Sequence, residues 1–132
     1  MIRLPVLPDA ALAAASDVRP VVVLVGHGSR DAEAQRELVA LVEAYAAARP
    51  DLDVSLAYVE LQAPALDVAL AAAAGRAVRP GQPPRPVVAV PLSLFAAGHV
   101  KNDVPLALAA ARARHPHVSF VAAEALGVSG HL

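Results

Sequence analysis

Five apolar residues in a row, Val21-Val22-Val23-Leu24-Val25, carry no polar face, and such a run suits a strand buried on both sides of a parallel sheet. Glycine follows at once, and the pattern then changes period. Ala34, Leu38, Leu41, Val42 and Tyr45 recur at helical spacing, with Glu37 and Glu43 on other faces, until Pro50 ends the helix. The cycle repeats. Val54 to Val59 predicts a second strand, and Pro64 suits the first turn of a second helix with Leu66, Leu70, Ala73 and Ala77 as its apolar stripe. The stretch from Arg79 to Pro86 holds four prolines and a glycine and is a surface connection. Pro86 to Leu92 predicts a third buried strand, Asn102 to His115 a third helix, and Val118 to Ala122 a fourth strand.

This alternation predicts an α/β domain with a parallel, right-handed, doubly wound sheet. Residues 1–20 form a leader of undefined structure, and 21–132 a single domain. Within that leader Pro5, Pro8 and Asp9 interrupt any run of signal-peptide length. No uninterrupted apolar stretch approaches the roughly 18 residues of a membrane helix. After the fourth strand one more covering helix is expected before Leu132; either it is missing or another subunit covers that face.

Composition narrows the chemistry. Of the 132 residues, 57% are hydrophobic but only 3% aromatic, so alanine, valine and leucine do the packing. A net charge of -1 offers no electrostatic basis for nucleic acid or an acidic membrane surface as partner. The absence of cysteine excludes disulfides, thiolate zinc sites and cysteine-held iron–sulfur clusters in this chain, and fits a cytoplasmic location.

In open α/β sheets ligands bind beyond the carboxyl ends of the strands. Three polar segments occupy those ends: Gly26-His27-Gly28-Ser29-Arg30-Asp31, Glu60-Leu61-Gln62-Ala63-Pro64, and Ala97-Gly98-His99-Val100-Lys101-Asn102-Asp103. Each residue has a plain structural role available. His27 eases a tight turn, Glu60 caps a helix, His99 packs under a loop, and Ser29, Asp31 and Asp103 cap helices. Together, two imidazoles and a carboxylate on one rim suit a divalent transition metal. The glycines beside both histidines leave room for a planar ligand near the backbone. Gly28-Ser29-Arg30 at a helix N-terminus makes an anion site, Lys101 a second anion contact, and Phe95 either packs in the core or faces a flat ligand. His115, His117 and His131 lie elsewhere.

These three segments, with Pro91-Leu92 ahead of the third and Val104-Pro105 after it, resemble the small sirohydrochlorin chelatases. That family is the ATP-independent, class II cobaltochelatase and ferrochelatase group of cobalamin and sirohaem synthesis. The resemblance extends from about Val21 to Val128. It implies a chelatase-like three-layer α/β/α sandwich with a four-stranded parallel sheet and helices on both faces. It implies a metal held between His27 and His99, with Glu60 completing the shell or accepting a proton. The tetrapyrrole would be met by Gly28, Ser29, Arg30, Phe95, Gly98 and Lys101. The metal, Co2+ or Fe2+ with Ni2+ or Zn2+ accepted in vitro, is substrate, and no further cofactor is implied. A homodimer or a tandem partner domain would close the cleft. Two rivals stand beside it. A phosphoryl-transfer enzyme with His27 as nucleophile lacks the arginine before the histidine, where Gly26 stands. A non-catalytic metal- or tetrapyrrole-binding lobe of a larger chelatase-like protein needs no turnover.

Overall fold

The computed structural model describes residues 19–93, 98–123 and 126–127, with the side chains of 93, 98–102 and 126–127 outside that description. The leader through residue 18, and the stretch after 127 where a closing helix is expected, likewise lie outside it.

The elements alternate as the hydrophobic pattern predicts. They are β1 (Val21–Gly26), α1 (Ala32–Ala48), β2 (Asp53–Tyr58), α2 (Leu66–Ala77), β3 (Val87–Ser93), α3 (Gly98–Arg114), β4 (Phe120–Ala122) and β5 (Leu126–Gly127). The main sheet runs β2-β1-β3-β4, and every pairing is parallel. The expectation of four strands needs one addition. The short β5 pairs with the far end of β3, Leu92 opposite Leu126. Pro91, which has no N–H to give, falls between the β4 rungs at Val87 to Ala89 and the β5 rungs that begin at Leu92.

β1 is central, and its side chains divide by alternation. Val21, Val23 and Val25 pack with Leu66, Ala69, Leu70, Ala73 and Ala77 of α2 and with Val104, Leu108 and Ala111 of α3. Val22 and Leu24 pack with Leu38, Leu41, Val42 and Tyr45 of α1. One helix covers one face and two cover the other, so the chain is a three-layer α/β/α sandwich. The alanines of α2 are what allow it to lie close on the sheet, as the aromatic-poor composition requires.

Beyond one-residue shifts of β2, of β3 and at the end of α3, three boundaries differ from the sequence expectation. Pro64 stands outside α2, ahead of its N-cap Ala65, and its carbonyl accepts from Tyr58 N–H at 3.0 Å. Val118 closes a turn on His115 O, so β4 begins only at Phe120. The largest difference is α3, which starts at Gly98 rather than Asn102. The segment expected to be a rim loop is therefore mostly helix, and Pro105 lies inside α3, past its first turn.

Candidate functional site

The sheet order places a topological switch point between β1 and β3. From β1 the chain moves outward to β2 on one side, and later to β3 and β4 on the other. Doubly wound sheets bind ligands in the crevice that this reversal opens at the carboxyl edge. His27 follows β1 directly, and Gly98-His99 opens the helix that follows β3. Glu60 follows β2, the other neighbour of β1. The topology alone thus gathers the three segments on one edge.

The β1–α1 and β2–α2 connections are tied together rung by rung. Beyond the strands, Val59 N–H donates to Gly26 O (2.9 Å) and Glu60 N–H to His27 O (3.1 Å), extending the parallel ladder by two bonds. His27 is thereby set opposite Glu60, and its Nε2 stands 3.0 Å from Glu60 Oε1. Both side chains are partly exposed, 36% and 48%, while His27 Nδ1 is buried. Nε2 faces Glu60, and Nδ1 faces the protein interior.

At 3.0 Å the two side chains are in direct ion-pair contact, and an imidazole nitrogen beside a carboxylate oxygen is also a donor pair suited to a divalent transition metal. Among the described residues no group of three or more His, Asp or Glu converges, so His27 and Glu60 are the described part of the candidate donor set. His99 and Lys101 lie in the first turn of α3 with their side chains outside the described residues, Gly98 opens that helix, and Phe95 lies outside altogether.

Gly28 also has a structural role that the sequence did not disclose. It adopts φ 104°, a conformation open chiefly to glycine, and a Cβ on it would overlap the Glu60 carbonyl oxygen. The place a side chain would take at Gly28 is filled by the neighbouring connection. Ser29 is similarly committed to building the loop. Its N–H donates to Gln62 Oε1 (3.0 Å), its carbonyl accepts from Gln35 Nε2 (2.7 Å), and its Oγ accepts from Asp31 N–H (3.0 Å). Asp31 caps α1 by accepting from Glu33 N–H at 3.1 Å. The Ser29, Asp31 and Glu33 amides are therefore engaged, and the exposed Arg30 is the cationic group of this connection.

Gln35 and Gln62 were absent from the sequence candidates. Leu61 between Glu60 and Gln62 is the centre of a γ-turn, with Gln62 N–H donating to Glu60 O at 2.8 Å and Leu61 at φ 67°. Such turns are rare and strained for a leucine. Only the glutamine already present in Glu60-Leu61-Gln62 hinted at it, and sequence spacing gives no signal for a side chain that bonds 33 positions away.

The fold and rim define an open, doubly wound α/β domain with a histidine–carboxylate pair at the ligand-binding edge. The family model CbiX matches residues 21–132, and the chain belongs to the CbiX family. It is 30% identical over 112 residues to a sirohydrochlorin cobaltochelatase of Priestia megaterium and 29% identical over 111 residues to a sirohydrochlorin ferrochelatase of Bacillus subtilis (strain 168). The matches take in 81% and 84% of this chain but only 33% and 40% of those relatives' lengths. A solved CbiX protein of Marinobacter aquaeolei VT8 superposes with a TM-score of 0.63 at 32% identity, covering 83% of this chain and 82% of that one. The sirohydrochlorin chelatase SirB of Bacillus subtilis subspecies spizizenii, solved in complex with cobalt, also gives 0.63, at 30% identity over 79% of this chain and 42% of its own. Among the described residues no helix is long and apolar enough to cross a membrane.

Proposed function

We propose that this chain is a sirohydrochlorin chelatase that inserts Co2+ or Fe2+ into the tetrapyrrole, as the two curated relatives are named for doing. The observation that carries this is the His27 Nε2–Glu60 Oε1 pair, 3.0 Å apart on the carboxyl edge of a CbiX-family sheet. His27 and Glu60, joined by His99 from the first turn of α3, hold the ion and leave coordination positions for the incoming pyrrole nitrogens. Two imidazoles and one carboxylate bind weakly enough to release it. Insertion expels both inner pyrrole protons, so metal and free macrocycle give metallated macrocycle plus two protons; Glu60 is the base placed to take one. Arg30 and Lys101 meet the carboxylates of the macrocycle, with Gly98 and Phe95 against its face. The metal is substrate, no other cofactor takes part, and the reaction runs in the cytoplasm. A second copy of the chain, or a tandem partner domain, completes the cleft.

The test is anaerobic metal insertion followed by tetrapyrrole absorbance. The expected result is a rate above the protein-free control that falls at least about 100-fold in both His27→Ala and His99→Ala, the scale of losing a positioned ligand or base. Full rates in both variants would sink the assignment. A second reading is a non-catalytic metal- or tetrapyrrole-binding lobe of a larger chelatase-like protein. Binding without turnover would select it.

A further inference from the structure

We propose that Gln62, with Gln35 across the loop, is the positioning residue of the His27–Glu60 pair. This rests on the metal-site reading above and deepens it.

The backbone ladder between the two connections stops at Glu60, because the γ-turn at Leu61 reverses the chain. Past that point the Gln62 side chain takes over, its Oε1 accepting from Ser29 N–H in place of a backbone carbonyl. From the other side Gln35, on the first turn of α1, donates to Ser29 O. Both peptide groups of Ser29 are thus held by amide side chains from two different elements. The need for such a clamp follows from Gly28. Glycine has the widest conformational freedom of any residue, and it is the only link between the clamped Ser29 and His27. Without Gln62, Gly28 can relax and carry the imidazole away from Glu60. With it, His27 is pinned on both flanks, by the rung from its own carbonyl to Glu60 N–H and by Ser29 two residues on.

Gln62 is half-buried, and its Oε1 accepts from the Ser29 backbone N–H, so its hold on the pair runs through the backbone. Gln62→Met keeps the shape and removes the acceptor, whereas Gln62→Glu keeps an acceptor for Ser29 N–H.

The experiment is carried out on the full chain with two readouts. The first needs no metal: the nuclear Overhauser contact between the His27 ring Hε1 and the Glu60 side chain. The second is Co2+ affinity by calorimetry. In Gln62→Met we expect the contact to weaken, the Co2+ dissociation constant to rise about fivefold, and the thermal midpoint to fall modestly through the lost hydrogen bond. Gln62→Glu should restore the contact. Gln35→Met should act in the same direction, and the double variant should be less than additive, since both amides hold one residue. An unchanged contact in Gln62→Met overturns the proposal, even if affinity falls, because Gln62 would then act on the ion directly. A lost contact with unchanged affinity overturns it too. If the wild-type chain binds no Co2+, the metal reading fails by itself, and the contact alone decides whether Gln62 sets the pair.

Discussion

Gly28 owes its identity to an atom 32 positions away. Any side chain there would occupy the place of the Glu60 carbonyl oxygen, and φ 104° is a strained conformation for other residues. Gly28→Ala should therefore cost more than about 2 kcal/mol in chemical denaturation, and should weaken Co2+ binding beyond what lost stability explains. A glycine at this position was plain from the sequence, and its usual association with close approach was plain too. What approaches was not, because the partner is backbone and carries no residue-type signature. The same holds for Ser29, whose hydroxyl suggests a cap or an anion contact but whose three polar groups all serve the loop.

At the scale of elements, the strands were the most legible. Val21 to Val25 is apolar on both faces because α1 covers one and α2 and α3 the other, and all five residues are fully buried. α3 was the least legible. Gly98 is a poor helix former, and Pro105 sits comfortably in a first turn if the helix begins at Asn102. The helix instead starts at Gly98 and keeps the proline inside. On α1, Tyr45 is buried with a hydroxyl that has no partner among the described residues, and burial raises its pKa above 10.0. A raised folded pKa means stability that is complete below pH 10 and lost as pH climbs toward the folded value, since the unfolded chain ionises first. Tyr45→Phe should be neutral or stabilising by about 0.5–1 kcal/mol at pH 7, and should reduce the alkaline loss. Melting temperatures from pH 7 to 11 check both.

For the molecule as a whole, the order β2-β1-β3-β4 matters more than any single residue, because it puts the edge of β1 between the Glu60 and Gly98 connections. The alternation of periods was enough to expect a doubly wound sheet; strand order was not, since it depends on which helices cover which face. The proposed closure of the cleft by a second copy has a concentration signature. Insertion per chain should fall on dilution through the range in which sedimentation shows dimers dissociating. A flat specific activity would show that one copy suffices. The interlock of the two connections also bears on how this domain can be recombined. Residues 26–31 and 59–65 are joined to each other by two backbone hydrogen bonds, the Ser29–Gln62 bond and the His27–Glu60 pair. A hybrid that takes the first segment from one relative and the second from another brings together halves never fitted to each other. Exchanging both at once preserves the join, so these two stretches, distant in the chain, behave as one transplantable cassette.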